Sequence, residues 1–373
     1  MKVATLRFGH GEWRSEGDLV ESPQLVIWFT AYSEAASPDA FDGLRRLFPD
    51  AAIAGCTTNG EIYLGDAMDG AAVAAAIRFD DTRIRTVSEV LSREDDARAG
   101  GLRLAQGLRG DDLKGVFVLT DAFGLNGPEL VEGLMEGLPG VPISGGMAGD
   151  DATLCNSTRA GLNERPRDGA AVAIGFYGAS VRIGYGVAGG WDELGPERRV
   201  TRSEGAIVYE FDGEPALEVY ERLVGDAAGI ARLRHPFAFK PDQDSAQDVI
   251  WEVVGIDREN KGIVFIDKVP QGWWGRMLRG IDDNLVEGAG LAARRAGMGA
   301  VAGDALSLVV SCIGRKWVMG QRIGDETEAV QEEAPRTPTI GFYSYGEIAP
   351  HAHTGRCTLH HASVSVTLLS EAA

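Results

Sequence analysis

Five short apolar runs punctuate the chain, at Val26–Phe29, Ala71–Ile77, Val116–Leu119, Ala170–Phe176 and Leu306–Val310. Each is too short for a helix and draws on valine, isoleucine and other apolar residues without polar alternation, the pattern of strands buried on both faces. Helical periodicity lies between them. Ser37–Pro38 sets an N-cap and a proline at the first helical position, ahead of Phe41, Leu44 and Leu47 or Phe48. Asp95–Asp96 opens a second helix carrying Leu104 and Leu108, and Asn126–Gly127–Pro128 a third carrying Val131, Leu134 and Leu138. Further on, Asp212–Gly213–Glu214–Pro215 turns into a helix bearing Leu217, Tyr220 and Leu223. Asp282–Asp283 caps another with Leu285, Ala289, Ala292, Ala293 and Ala296 on successive turns.

Strands and helices thus alternate throughout. Val172–Tyr177 against Ser180–Val187, across Gly178, reads as an antiparallel hairpin, so the sheets are not purely parallel. The expected fold class is α+β (mixed α/β): a layered sandwich of mixed, largely antiparallel sheets flanked by helices, in two related halves. The expected division is a domain over 22–212, a second over 213–352, and a C-terminal strand in 353–373 that completes the fold. No Pro- or Gly-rich linker marks the boundary. The acidic stretch from Gly324 to Pro335 reads as a solvated helix end and loop.

With 373 residues, 44% of them apolar, the chain can bury a substantial core. A formal charge of −19 repels nucleic acid and anionic membrane surfaces, which sets aside partners of either kind. No run reaches the ~18 to 20 apolar residues of a membrane span, and the start lacks the apolar core of a signal peptide, so a cytoplasmic protein is expected. Four cysteines, at 56, 155, 312 and 357, are too scattered for a metal knuckle or a disulfide scaffold.

One spacing recurs. Gly55-Cys56-Thr57-Thr58-Asn59-Gly60-Glu61-Ile62 and Gly341-Phe342-Tyr343-Ser344-Tyr345-Gly346-Glu347-Ile348 both read Gly, four residues, Gly-Glu-Ile. Together with Ser144-Gly-Gly-Met-Ala-Gly-Asp-Asp151 and Ser311-Cys-Ile-Gly-Arg315, in this order, they make the chain resemble a bacterial FIST_N plus FIST_C pair. The resemblance covers nearly the whole chain. It implies a non-enzymatic sensor of small ligands, amino acids among them. The tail Cys357-Thr-Leu-His-His-Ala362 and the absence of an appended output module make the chain similar to the NosP-like branch, lone FIST chains that bind haem and sense nitric oxide. A chain ending soon after the strand Val364–Leu369 leads to the expectation that output acts in trans, by resemblance on a histidine kinase or a cyclic-di-GMP enzyme. A homodimer is compatible with this arrangement.

Three kinds of site follow. The first is a polar ligand pocket where the two Gly-Glu-Ile segments and Arg315 converge, built from Cys56, Thr57, Asn59, Glu61, Asp150, Arg315, Tyr345 and Glu347. A carboxylate pairs an amine and a guanidinium grips a carboxylate, the two charges an amino acid presents. The alternative is that Glu61 and Glu347 cap backbone amides or pair with Arg315. The second is haem ligation by His235, beside the aromatic and basic Pro236-Phe-Ala-Phe-Lys240, or metal binding by His351 and His353, two apart on one strand face. For each histidine the competing reading is a surface ring or a satisfied buried one. The third is a cysteine- or threonine-dependent amidohydrolase using Cys56-Thr57-Thr58 or Cys312. It lacks a Gly-x-Ser-x-Gly elbow and any signature pairing a cysteine with a histidine. Ser144–Asp151 lacks the Lys-Ser/Thr of a P-loop and reads as close backbone packing. Trp273–Trp274 reads as one indole packed inward and one outward, or as part of a ligand or partner surface.

Overall fold

The five apolar runs form the inner strands of three sheets that share one core. The structure, a computed structural model, describes residues 1–35, 38–93, 95–151, 157–226, 229–245, 248–300, 304–351 and 354–372. In the first sheet the order is Ala160–Leu162, Ala52–Thr58, Leu25–Ala31, Ala72–Arg78, Lys2–Gly9, Glu12–Ser15. The second runs Cys357–His360, Gly346–Pro350, Ile143–Met147, Leu113–Thr120, Ala170–Tyr177, Arg83–Val90. The third runs Asp66–Met68, Glu61–Tyr63, Thr339–Ser344, Ala305–Cys312, Val364–Glu371, Val181–Ala188. Each sheet centres on one parallel pair joined through helical crossovers and is antiparallel elsewhere.

The three sheets repeat one topology. In each, the second strand of the parallel pair runs on into a strand donated to the next sheet: Ala52–Thr58 leads to Glu61–Tyr63 in the third, Thr339–Ser344 to Gly346–Pro350 in the second, and Ile143–Met147 to Ala160–Leu162 in the first. The exchange closes a ring. Three equivalent backbone bonds mark its axis: Asn59 N to Tyr343 O (2.9 Å), Tyr345 N to Met147 O (3.3 Å) and Gly149 N to Thr57 O (2.8 Å). The two Gly-Glu-Ile segments are therefore two corners of a threefold arrangement, with Gly145–Asp151 as the third.

Alternation places each sheet between two apolar layers. Leu25, Ile27 and Phe29 point to the shared core with Phe117, Leu119, Val172, Ile174, Leu308, Val310 and Phe342. Val26, Trp28 and Ile53 face outward onto Ala40, Phe41, Leu44 and Phe48 around the helix Pro38–Leu47. Phe48, not Leu47, completes that apolar face; Leu47 is exposed. Ser37, the expected cap, lies outside the described residues. The second sheet is covered by Ala97–Leu108 and Gly127–Gly137, whose caps are Asp96 and Asn126 as the residue pattern predicts, each accepting from the amide three residues on. The third is covered by the alanine face of Asp282–Arg295 and by Ile313–Met319.

The expected hairpin across Gly178 does not form. Ala170–Tyr177 pairs with Leu113–Thr120 and Arg83–Val90, whereas Val181–Ala188 pairs with Val364–Glu371. Gly178, at φ +118°, turns the chain from one sheet into another, a conformation that a residue with a Cβ at that position rarely adopts. The acidic stretch is the helix Ile323–Glu332, but it is not solvated throughout, since Glu326 is buried.

Between the edge strand and first helix of the third sheet, residues 192–279 form a separate sheet with its own aromatic core of Phe211, Phe237, Phe239 and Phe265. Val249–Trp251 pairs with Phe237–Lys240 at one edge, and Val253–Asp257 with Gly262–Phe265 at the other. These two segments are consecutive, so the sheet closes into a barrel. Glu252 stands at the break. The Asp212–Gly213 turn, at the expected domain boundary, lies in this barrel before the helix Ala216–Val224. Among the described residues no helix is long and apolar enough to cross a membrane.

Candidate functional site

At one end of the threefold axis four of the expected site residues join in one network. Asp150 N donates to Asn59 Oδ1 (3.0 Å), and Tyr345 OH donates to Asp150 Oδ1 (2.7 Å). Thr57 Oγ1 donates to Gly149 O (2.6 Å) and accepts from Arg159 N (2.9 Å). Lys316 Nζ binds Asn59 O at 2.8 Å and lies 4.9 Å over the Tyr343 ring. Gly149 allows this closeness, because a Cβ there would overlap Asn59 N.

Glu61 and Glu347 occupy equivalent places in two of the three corners, and neither side chain reaches solvent. Glu61 takes the Thr58 hydroxyl and the Ala71 amide (3.0 Å). Glu347 takes the Ser344 hydroxyl (2.7 Å) with the Ser363 hydroxyl (2.8 Å) and amide (3.3 Å). In the third corner Ala148 stands where the hydroxyl would be, and Asp151 accepts from Tyr32 N (2.7 Å) and Ser33 N (3.2 Å). Burial raises Glu61 to about 8 against the opposing hydrogen bonds, and also holds Glu347 well above its ordinary range. Both side chains are thus held as turn-bracing groups.

Arg315 does not join them. The helix Ile313–Met319 turns its guanidinium toward Asp282–Arg295 and Ile323–Glu332, where Nε binds Glu326 Oε2 at 2.7 Å and the terminal nitrogens bind Gly189 O and Leu285 O. Ser311 Oγ completes Glu326 at 2.6 Å. With every nitrogen of the guanidinium engaged and the side chain fully buried, Arg315 is spent on the fold and does not face a ligand carboxylate.

Cys56 lies in the shared core, and burial pushes its thiol well up. Cys312 is pushed up by burial and by Glu252, to which its thiol donates at 3.1 Å. A nucleophilic cysteine needs the opposite shift. Cys155 lies outside the described residues.

His235 follows the 3₁₀ turn Gly229–Arg234, half-buried, and burial lowers its pKa. Phe237 and Phe239 beside it are spent on the barrel's own core, so the residues there do not offer haem a wide apolar pocket. His351 is buried beyond the strand Gly346–Pro350, its ring stacked 6.1 Å from that of His360, whose pKa burial lowers to about 4. His353 lies outside the described residues. No group of three or more His, Cys, Asp or Glu among the described residues could hold a metal ion.

One open cleft lies between barrel and core. It measures about 490 Å³ and is walled on the barrel side by Trp251 and Trp273, whose rings stack at 6.0 Å and 11°, and on the core side by Val131, Met135 and Leu359. Arg356 and Glu132 from the core and Asp267 from the barrel bring charges to its rim. Arg356 makes no ion pair among the described residues. The cleft adjoins a second hollow of about 560 Å³, reached past Met135 and Cys357, with the Arg98–Glu136 ion pair on its wall. Of the expected Trp pair, Trp273 packs toward the barrel core. Trp251, Glu252 and Arg356 went unmarked in the sequence; a glutamate inside the apolar run Ile250-Trp-Glu-Val-Val254 was the signal that could have drawn attention to them.

A protein of Methanocaldococcus jannaschii described only as uncharacterised is similar at 27% identity over 218 residues, 54% of this chain. The match spans 41% of that relative's length. Among solved structures, a cyanuric acid hydrolase from A. caulinodans aligns over 93% of this chain and 90% of its own at 11% identity, with a TM-score of 0.36. Residues 24–214 match the FIST N domain and residues 216–350 the FIST C domain, the two meeting at the short strand Glu214–Pro215. The chain belongs to the FIST family of small-ligand sensor domains.

Proposed function

We infer that this chain senses a small zwitterionic ligand, an amino acid with an apolar side chain, in the cleft between barrel and core. One observation carries the reading. Stacked Trp251 and Trp273 offer a flat apolar wall, while Arg356 and Glu132 on the core side and Asp267 on the barrel side offer a partner for each charge of such a ligand. The volume lies within the ~300–1,000 Å³ of ordinary ligand pockets. Among the described residues, the polar groups at the threefold axis bond to one another.

A ligand between two bodies acts as a signal if it favours one of their relative arrangements, and a difference of ~1 to 3 kcal/mol suffices. The receiver is a separate signalling protein, a histidine kinase or a cyclic-di-GMP enzyme by family likeness. A thermal-shift screen of the twenty amino acids tests the site. An apolar or aromatic amino acid raises the unfolding temperature, by about 2.7 kcal/mol of stabilisation at a hundredfold excess over Kd. Trp273→Ala and Arg356→Ala each abolish the rise. A rise that survives both substitutions places the ligand elsewhere. The haem-based reading separates from this one by the visible spectrum of protein from haem-supplied cells: a Soret band supports haem, and its absence removes it.

A further inference from the structure

The barrel segment from Asp248 to Glu252 is held to the core at both ends. At one end Asp248 Oδ1 lies 3.6 Å from His351 Nε2. At the other, Glu252 leaves the barrel wall at the break between Val249–Trp251 and Val253–Asp257 and accepts the Cys312 thiol at 3.1 Å. Its carbonyl stays in the barrel, bonded by Ile266 N (3.1 Å). Glu252 is only 5% exposed, a burial that costs free energy and that the barrel's own packing does not require. Gly314 makes the room, since a Cβ there would come 2.7 Å from Glu252 Oε1.

The residues on either side of this contact matter. Val249 and Trp251, between the two anchors, line the cleft. Cys312 pairs in register with Ser344, whose hydroxyl holds Glu347. A continuous line of contacts thus runs from Trp273 through Trp251, Glu252, Cys312 and Ser344 to one corner of the threefold axis.

We propose that this segment is the transmission element of the sensor: a guest against Trp251 and Trp273 displaces Glu252 and changes its grip on Cys312, so that cleft occupancy alters the joint between barrel and core. The proposal rests on the cleft being the ligand site, but its test needs no ligand. Buried thiols react only when the surrounding structure opens, so the labelling rate of Cys312 by a thiol reagent, resolved from the other cysteines by peptide mass spectrometry, reports opening of that joint. Trp273→Ala trims the cleft wall without touching the Glu252–Cys312 bond. It speeds Cys312 labelling about fivefold, the low end of ordinary coupling between sites, and leaves Cys56 unchanged. In a Glu252→Gln chain the same substitution has no effect on Cys312. Where Trp273→Ala does not fold, Trp273→Phe, which shortens the stack and keeps a ring, takes its place. An unaltered Cys312 rate, or an equal increase with and without Glu252, overturns the proposal. Either result leaves the cleft itself to be judged by the thermal-shift screen.

Discussion

Glu61→Gln separates a buried acid that braces a turn from one that must be charged to work. Glu61 is fully buried, with the Thr58 hydroxyl on one oxygen and the Ala71 amide on the other. Burial raises it to about 8 from 4.5, with the Thr58 and Ala71 bonds and Lys316 opposing and Asp151 adding to the rise. Below pH 4.5 both folded and unfolded chains carry the proton, and there is no pH dependence from this group. Between 4.5 and 8 the folded chain keeps the proton and the unfolded chain has released it, so stability falls as pH rises, by about 1.4 kcal/mol per pH unit. The full loss, complete above pH 8, is roughly 5 kcal/mol. Glutamine matches the neutral acid: its amide can donate to Thr58 Oγ1 and its carbonyl can accept from Ala71. Urea unfolding of both chains between pH 5 and 8.5 gives the test. Wild type loses stability across the range, and the gap in favour of Glu61→Gln widens as pH rises. Parallel pH profiles for the two chains refute a raised Glu61.

Other perturbations have equally definite outcomes. Arg315→Met leaves Glu326 buried and uncompensated and costs about 3–5 kcal/mol in urea unfolding, whereas Arg315→Met with Glu326→Met regains most of it. Gly145→Ala puts a Cβ into the Val118 carbonyl at φ +138° and lowers the unfolding midpoint strongly, while Gly70→Ala, with open space around it, costs only its left-handed φ of +68°. The native chain leaves Cys56 unlabelled by thiol reagents over times that modify an exposed cysteine, and a fast Cys56 reaction contradicts its place in the shared core.

What was legible in the sequence follows from which forces act locally. The five apolar runs are strands because each lies between two apolar layers, so no polar alternation dilutes the signal. Asp96 and Asn126 could be read as caps because a cap bonds an amide three residues away. The hairpin across Gly178 failed because a glycine between two apolar strands says that the chain turns but not which sheet receives it. The threefold repeat showed only two of its corners. In the third, alanine replaces the hydroxyl and Asp151 replaces glutamate, so the function of the turn survives while its residue pattern does not. Arg315 could be read as a buried cation needing a carboxylate, but its partner Glu326 lies on another helix and could not be chosen from spacing.

The placement of the cleft follows from how the three corners differ. Around the axis each strand end has an equivalent, and the equivalents bond to one another, so that end of the molecule has little polar capacity to spare. The barrel is inserted into one sheet alone. Among the described residues it has no counterpart in the other two, and there a surface of the repeat meets a separately built body. Two surfaces that did not arise as equivalents pack imperfectly, and the imperfection here is lined with indoles and rimmed with charge. Glu252 is the group that such a joint would otherwise do without: apolar residues would hold barrel to core at lower cost, and a buried carboxylate on a thiol holds it in a way that a small displacement can undo. If the insertion serves sensing, deleting residues 192–279 and joining Trp191 to Gly280 through a short glycine linker leaves a core that unfolds cooperatively and gives no thermal response to any amino acid. A retained response in that shortened chain would return the ligand to the threefold axis.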